Sequence, residues 1–425
     1  MKAIRLKTEF LKNPIGTDIQ NPRLMWSCEG GITQTAYRIV AESGGKTVWD
    51  SGKVNSSSMR TEYPLPLSSR TRIGWSVTLW DENDREGEPS ETAFFETGLL
   101  SASDFSAKWI SGNYRVNKKK RYPVDCFKKE FSAHDVAKAR LYITACGLYE
   151  AKINGQRVGN FVLAPGHTDY TKRIQLQTYD VTGLLENGEN EITIELADGW
   201  YRGSCGAWGL KNQYGTQTKI YAQLEITDTS GNKAVIGTDK TWGWSDDGEI
   251  RFADNKDGEV IEAWRKPFYS GFAVETKCDV TPASSNNVPV TEHERFSVKN
   301  VITTPGGARV LDFGQNIAGY IAFSVNAKRG QKIKLRFGEM LDENGEFTQK
   351  NFQCANKKRT RVTPMQQIEY FCRDGLNEYK TKFAIFGFQY VLIETDVKWE
   401  PEAFTAIAIY SDMEETISFD SSNVH

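Results

Sequence analysis

The chain has 425 residues, and its 53 basic and 55 acidic side chains leave a formal net charge of −2. This length exceeds what one ordinary core organises, so we expect about three domains. The balanced charge provides no overall field for a phosphate backbone or an anionic membrane, which argues against nucleic acid and membrane as partners. The seven cysteines form no C-x-x-C pair, so neither a disulfide framework nor a zinc knuckle is predicted.

The N-terminal segment contains no uninterrupted apolar stretch of the export-signal type, because charged residues recur from Lys2 to Lys12. We therefore expect a cytoplasmic protein, and a periplasmic one only if a signal has been removed. No apolar run approaches the ~20 residues that span a bilayer, so the sequence predicts a soluble chain.

Residues 1–100 alternate between apolar and polar positions in short segments separated by turn residues. This period of two predicts a small β-sandwich, with strands at 36–40, 47–50 and 74–80.

Residues 101–282 continue the alternation, with a pattern typical of a jelly-roll. The predicted strands are 139–145, 148–153, 191–196 and 219–226. A basic run from Lys118 to Arg121 favours a solvated linker over an anion-binding patch. An acidic stretch with Asp254, Asp257 and Glu259 is predicted to be a loop.

A Ser/Asn/Pro-rich linker at 281–289 marks the start of the third region, 283–405, in which the alternation resumes after the linker. Strands at 308–313, 319–325, 332–337 and 389–394 predict another antiparallel sandwich. The polar segment 312–316 between the first two strands is interpreted as a structural turn rather than a functional loop. Helix signals are weak throughout, so the predicted fold class is all-β, with several β-sandwich domains.

The stretch 198–215 concentrates aromatic rings, an arginine and glycines within one loop. Flat aromatic faces cover the C–H faces of a pyranose, and polar side chains bond its hydroxyls. The predicted ligand contacts are Asp198, Trp200, Tyr201, Arg202, Trp208 and Asn212. Packing of the same aromatic residues at a sheet corner is the competing interpretation.

Calcium is a candidate helper at this loop. Asp169, Asp198 and Asn212 carry the hard oxygen ligands that Ca²⁺ prefers and could present the ion to vicinal hydroxyls. Their spacing matches no known calcium loop, so hydrogen bonding and turn capping stay open as alternatives. The four histidines are scattered and predicted to be ordinary surface or boundary residues.

Three stretches resemble the bacterial α-L-rhamnosidases, glycoside hydrolase family 78. The sequence Asp198-Gly199-Trp200-Tyr201-Arg202-Gly203 is similar to the family's jelly-roll, and Leu311-Asp312-Phe313-Gly314-Gln315-Asn316 is similar to its concanavalin-like domain. Phe386-Gly387-Phe388-Gln389-Tyr390-Val391, followed by Tyr410-Ser411-Asp412-Met413, resembles the segment that leads into the family's catalytic helical barrel.

The resemblance implies four parts. They are a fibronectin-III-like β-sandwich at 1–100, a jelly-roll carbohydrate-binding-like domain at 101–282, a concanavalin-like β-sandwich at 283–405, and a segment at 406–425 leading to a catalytic barrel that this sequence does not contain. The family's barrel is implied to be an (α/α)6 toroid with a motif of the type D-x-x-x-R-[DN]-E, and the chain shows neither. Inverting hydrolysis needs one carboxylic acid and one carboxylate on opposite sides of the bond. No catalytic residue is therefore assigned.

We expect the accessory β-domain portion of an α-L-rhamnosidase, which binds a rhamnose-containing glycan or braces a separate or missing catalytic domain without catalysis. A stand-alone carbohydrate-binding protein and a longer, active glycosidase are the alternatives.

Overall fold

The computed structural model describes residues 1–355 and 362–423. Within these ranges, 34 strands accompany one four-residue α-helix, α1 (Gly199–Arg202), and three short 3₁₀ turns. The all-β prediction is confirmed. None of the helices in the described ranges has the length and apolar character that crossing a bilayer requires.

The N-terminal module consists of two sheets that share one core, with Trp26, Trp75 and Phe95 inside it. One sheet has the strand order β1-β3-β7 and the other β2-β9-β8-β4-β5, with β6 paired to β4. The strands are β1 (Lys2–Thr8), β2 (Ile15–Thr17), β3 (Arg23–Glu29), β4 (Ala36–Ser43), β5 (Lys46–Asp50), β6 (Val54–Asn55), β7 (Arg60–Glu62), β8 (Arg72–Trp80) and β9 (Ala93–Thr97).

The second region pairs two larger sheets around a core that includes Phe127, Leu141 and Trp242. Their orders are β23-β10-β17-β12-β15-β24, with β18 on β17, and β14-β13-β16-β11-β19-β22. The strands are β10 (Ile110–Ser111), β11 (Asp125–Ala133), β12 (Val136–Cys146), β13 (Leu148–Ile153), β14 (Gln156–Arg157), β15 (Gln175–Asp180), β16 (Gly188–Ala197), β17 (Lys219–Asp228), β18 (Lys233–Gly237), β19 (Gly243–Ser245), β22 (Gly271–Phe272), β23 (Val274–Glu275) and β24 (Ala283–Ser284).

The third region is one ten-stranded sheet system in the order β20-β21-β31-β28-β33-β27-β34-β25, with β26 and β32 also paired to β27. A separate ribbon joins β29 to β30. The strands are β20 (Ile250–Asp254), β21 (Gly258–Glu262), β25 (Val290–Ser297), β26 (Asn300–Thr303), β27 (Arg309–Ala327), β28 (Lys332–Gly338), β29 (Cys354–Ala355), β30 (Val362–Thr363), β31 (Gln367–Phe371), β32 (Gly375–Lys380), β33 (Phe386–Thr395) and β34 (Phe404–Ser411).

Strand pairing crosses two of the predicted domain limits. The hairpin β20–β21 precedes residue 282, yet β21 pairs in parallel with β31 of the third region, and β34 extends the third sheet beyond residue 405. The acidic stretch predicted as a loop is therefore largely this hairpin, and Asp254, Asp257 and Glu259 are each at most 1% exposed. The third core also takes in Leu148, Val162 and Ala197 of the jelly-roll, so the two regions pack as neighbours.

The two strands predicted at 308–313 and 319–325 are one 19-residue strand, β27. Its register against β33 shifts between Asp312 and Ile317, so the expected turn is an irregularity within a continuous strand. The Asp312 side chain accepts a hydrogen bond from the Gly314 backbone at 2.7 Å and from Gln389 at 3.0 Å. The structural interpretation of 312–316 agrees with these contacts.

Candidate functional site

The candidate site is the loop 198–215, which follows strand β16 of the jelly-roll. Asp198 begins it, and helix α1 places Arg202 one turn later. Arg202 Nε and Nη2 lie 2.7 and 2.6 Å from Asp198 Oδ1. Both residues are buried, so this ion pair fixes the conformation of the loop's first turn.

A buried polar network extends from Arg202 into the jelly-roll. Arg202 Nη1 donates to the Tyr114 hydroxyl, which donates to Asp125 Oδ2 at 3.4 Å. Trp244 Nε1 and Thr218 Oγ1 also donate to Asp125, at 2.9 and 3.0 Å. Burial raises the pKa of Asp125 to about 6, although Arg202, Trp244 and Thr218 act in the opposite direction. Burial likewise disfavours the charged Arg202, but its acidic neighbours outweigh it and raise the Arg202 pKa.

Trp200 joins the loop to the hairpin β20–β21. The Asn255 side-chain amide satisfies its neighbours in one orientation, in which the amide oxygen accepts a hydrogen bond from Trp200 Nε1 at 2.9 Å. Its nitrogen then donates to the carbonyls of Gly199 and Ser204, at 3.2 and 3.3 Å. Asn255 is 1% exposed and lies in the hairpin β20–β21, so a buried side chain of the third sheet system hydrogen-bonds helix α1.

An aromatic group surrounds Trp200. The His167 ring stacks on Trp200 with centroids 5.3 Å apart and planes at 19°, and Tyr214 lies edge-on to His167. Tyr170 contacts both Tyr201 and Tyr214 at 5.4 and 5.2 Å. Burial raises the pKa of Tyr201, and its ring belongs to this packed group. Trp200 and Tyr201 are therefore held by other rings.

Trp208 lies at the tip of the loop and is 68% exposed. The tip is closed at its base, because the backbones of Cys205 and Leu210 bond each other in both directions at 2.9 Å. Gly206 and Gly209 turn the chain with φ of +67° and +56°, a conformation that favours glycine. The structure thus presents one large aromatic face to solvent on a constrained turn.

Buried carboxylates of the hairpin β20–β21 form ion pairs with cations of the loop and of the basic run. Lys211 Nζ lies 3.4 Å from Asp254 and 3.8 Å from Asp257, and Arg121 donates to Asp257 at 3.1 Å. Ser204 donates to Asp254 through its backbone and its hydroxyl, at 3.1 and 2.9 Å. Burial alone would raise the pKa of Asp254, but Lys211 and nearby backbone amides hold it below its ordinary value.

Three family profiles match the chain in the order of its β regions. They are the Rha78A-like N-terminal immunoglobulin domain at residues 3–101, the α-L-rhamnosidase N-terminal domain at 134–304, and the bacterial α-L-rhamnosidase concanavalin-like domain at 302–410. The chain belongs to the bacterial α-L-rhamnosidase family. The resemblance read from the sequence is confirmed, and the first module matches an immunoglobulin profile, a β-sandwich like the fibronectin-III-like module expected there.

Individual relatives agree with the family. The chain is 34% identical over 452 residues to an α-L-rhamnosidase of Formosa agariphila, covering 98% of this chain and 48% of the relative. The native α-L-rhamnosidase structure from Aspergillus terreus superposes with a TM-score of 0.89 at 30% identity, covering 99% of this chain and 50% of that one. The α-L-rhamnosidase from Dictyoglumus thermophilum gives 0.87 at 28% identity, with coverage of 100% and 50%. The chain thus spans about half the length of the rhamnosidases it matches.

The rhamnosidase fold gives the six predicted contact residues different settings. Asp198, Tyr201 and Arg202 are at most 8% exposed, and Trp200 is partly buried beneath His167. Trp208 is exposed, and Asn212 is half-buried with its backbone N–H bonded to the Arg202 carbonyl at 3.0 Å. The six residues share one loop, but only Trp208 presents a largely free side chain.

The contacts of the three predicted calcium ligands are separate. Asp198 is committed to Arg202, and Asp169 is exposed, accepts from the Thr171 backbone and hydroxyl, and pairs with Lys172 at 3.5 Å. In the part of the chain that the structure describes, no group of three or more His, Cys, Asp or Glu side chains is arranged to hold a metal. The geometry gives no support to a calcium site built from Asp169, Asp198 and Asn212.

Several residues of this site were not predicted from the sequence. His167 and Tyr170 precede the loop by about thirty residues, and Asn255 follows it by about forty, so no local spacing connects them. Tyr114 and Tyr122 lie beside the basic run, where no pattern marks them as partners of Arg202. Only the pairing of sheets brings these side chains together.

Proposed function

We propose that the loop 198–215 binds a rhamnose-containing glycan and that the chain acts as the accessory β-domain portion of an α-L-rhamnosidase. The observation that carries this proposal is the exposed Trp208 on a turn closed at its base. An indole held in water costs free energy that a sugar's C–H face recovers on stacking. The half-buried amide of Asn212, which has no hydrogen-bond partner among the described residues, is available for a hydroxyl.

The buried residues of the loop have a supporting role in this proposal. Asp198 and Arg202 anchor its start, and Trp200 and Tyr201 pack into the aromatic group below. A platform whose base is already ordered loses little conformational entropy on binding. Support comes from the rigidity of the base rather than from direct contact between these four side chains and sugar.

Titration calorimetry with methyl α-L-rhamnopyranoside tests the binding site. We expect wild-type chain to bind and Trp208→Ala to lose about tenfold in affinity, close to 1.4 kcal/mol, because the stacking face is removed. Phe268→Ala is the matched control, since Phe268 is 73% exposed and lies outside the loop. Equal affinities for wild type and Trp208→Ala would refute the platform.

The same titration in the presence of a chelator addresses calcium. We expect unchanged affinity, because Asp198 is neutralised by Arg202 rather than available to an ion. If the chelator lowers the affinity and added Ca²⁺ restores it, a metal takes part in binding.

We also propose that this chain does not hydrolyse the glycan. Glycosidic cleavage needs a proton donor and a carboxylate that activates water. Three carboxylates in or beside the loop are instead paired with cations, Asp198 with Arg202, Asp254 with Lys211 and Asp257 with Arg121. We expect no release of nitrophenol from 4-nitrophenyl α-L-rhamnopyranoside, and sustained turnover by purified chain would contradict the proposal.

A further inference from the structure

A basic turn lies directly beside the candidate site. Residues 115–121, Arg115-Val116-Asn117-Lys118-Lys119-Lys120-Arg121, hold five cations and no acid, and all five cations are exposed. The sequence favoured a solvated linker here, but the structure shows a fixed turn. Lys119 and Lys120 donate their backbone N–H groups to the Asn117 side chain and carbonyl, both at 3.0 Å.

Tyr122 connects this basic turn to the loop. Its hydroxyl accepts from the Asn117 backbone at 2.6 Å and donates to the Arg115 carbonyl at 3.4 Å. The Tyr122 ring stacks on Tyr114 with centroids 4.6 Å apart, and the Arg202 guanidinium lies 4.7 Å from the ring centroid. One buried tyrosine therefore positions the turn and packs against the arginine that anchors the candidate site.

A second chain of contacts links the turn to the tip that carries Trp208. Arg121 donates to Asp257, whose other oxygen accepts from Thr363 Oγ1 at 3.0 Å. Thr363 Oγ1 also packs closely against Gly209, since a Cβ added to Gly209 would lie 2.6 Å from that oxygen. Gly209 follows Trp208 directly, so this chain of contacts connects Arg121 of the basic turn to the residue next to the indole.

The charge of the basic turn is not balanced by acidic partners. The cations that touch the buried carboxylates, Arg121, Lys211 and Arg202, are each paired. Arg115, Lys118, Lys119 and Lys120 have no acidic partner within 4.0 Å in the described residues. Four neighbouring cations repel one another, and an anion placed among them removes that cost. The chain as a whole is slightly acidic, so the excess is local.

We propose that the glycan bound at the loop carries an anionic group, a sulfate ester or a uronate carboxylate, which lies against the basic turn while a sugar ring stacks on Trp208. This inference rests on the proposed function, because it assigns the charge of the ligand at that same site. Lysine donors suit both anions, so the shared chemistry is a negatively charged substituent on a saccharide.

Calorimetry compares three probes: methyl α-L-rhamnopyranoside, its O-sulfate, and a rhamnose–glucuronic acid disaccharide. We expect at least one charged probe to bind about tenfold more tightly than the neutral one, and the advantage to shrink at high salt. The variant that removes charge from the turn is Lys118→Ser/Lys119→Ser/Lys120→Ser. We expect it to bind charged and neutral probes with equal affinity, while its affinity for the neutral probe stays at the wild-type value. The matched control, Lys46→Ser/Lys233→Ser/Lys398→Ser, removes three exposed lysines elsewhere in the chain. We expect it to keep the tighter binding of the charged probe.

The outcomes separate this inference from the function beneath it. Equal affinity of wild type for neutral and charged rhamnosides overturns the anionic ligand and leaves glycan binding standing. Equal loss in both triple variants, or equally tight binding of a short DNA oligonucleotide, overturns it as a general charge effect. Absence of binding to all three saccharides refutes the proposed function itself.

Discussion

Arg202 and Asp198 form a buried ion pair one helical turn apart, with Arg202 Nε 2.7 Å from Asp198 Oδ1. The pair is the point at which the loop and the jelly-roll network meet, since the same guanidinium bonds Tyr114. A buried pair of this kind adds little net stability when intact, because desolvation offsets attraction. Removal of one partner is costly, because the other charge then stays buried without its counter-ion.

Arg202→Met is therefore expected to lower the free energy of unfolding by about 3–5 kcal/mol, because Asp198 and Asp125 lose their buried counter-charge. Urea unfolding followed by intrinsic fluorescence measures the change. The double variant Asp198→Asn/Arg202→Met is expected to recover part of the loss. A single-variant loss below about 1 kcal/mol would show that water reaches the pair.

Asp125 gives the stability a defined pH dependence. Burial raises its folded pKa to about 6, whereas the unfolded carboxyl titrates near its ordinary value of 3.8. Its favourable contribution is complete below pH ~4 and is lost as pH rises through about 6, a change of about 3 kcal/mol. The groups that act on it are Arg202, Thr218, Trp244 and the acidic Asp198, and the Tyr114 hydroxyl also donates to it.

Asp125→Asn removes this titration, so wild type should lose stability relative to the variant as pH rises from 4 to 7. Unfolding curves of both proteins at steps between these limits provide the comparison. A difference that stays constant with pH would mean that Asp125 is charged throughout, as an exposed carboxylate would be.

Gly258 allows β21 to run beside β31. Its φ is +110°, and a Cβ there would lie 1.7 Å from the Gln367 carbonyl oxygen. Gly258→Ala is expected to separate the hairpin from its parallel partner and cost more than about 3 kcal/mol. Gly155→Ala is the control, because Gly155 also has a positive φ, +76°, with open space around it, and should cost about 1 kcal/mol. Similar losses in the two variants would assign the effect to backbone strain alone.

Arg140 holds the N-terminal module to the jelly-roll through Glu96. Arg140 Nε and Nη2 donate to the two carboxylate oxygens at 2.8 and 3.1 Å, and both residues are buried. Glu96→Ala leaves a buried cation facing Asp180 alone, so we expect a loss of about 3–5 kcal/mol and faster proteolysis near residue 100.

The control for Glu96→Ala is Asp50→Ala, which breaks an ion pair within the N-terminal module. Asp50 pairs with Arg38 across an exposed surface, where both side chains are more than a third accessible, and its loss should cost less than about 1 kcal/mol. Equal destabilisation by Glu96→Ala and Asp50→Ala would contradict a docking role for the Arg140–Glu96 pair.

Much of the secondary structure was predictable because strand alternation is local. The segment 148–153 coincides with β13, and 219–226 lies within β17. The single long strand β27 was divided in prediction, since Gly314 and the polar residues around it have the composition of a turn. Side-chain bonds from Asp312 satisfy the backbone there while the strand continues on both sides.

The candidate site was predictable as a stretch of sequence but not as an arrangement of side chains. The loop's aromatic composition marks it, yet Trp200 and Trp208 are indistinguishable by type and neighbours. Trp200 is covered because His167 and Asn255, distant in sequence, pack on its ring and bond its nitrogen. Trp208 is exposed because the turn that carries it projects beyond those contacts.

The sequence by itself determined the all-β character, the order of the sandwiches and the loop in which aromatic side chains and glycines are concentrated, because period-two alternation and residue composition act over a few residues. The tertiary structure alone decided that the hairpin β20–β21 joins the third sheet, that Arg202 is committed to Asp198, and that Tyr122, next to the basic turn, packs against Arg202. These relationships depend on contacts between segments tens to hundreds of residues apart, whose pairing is fixed only when the sheets close around shared cores.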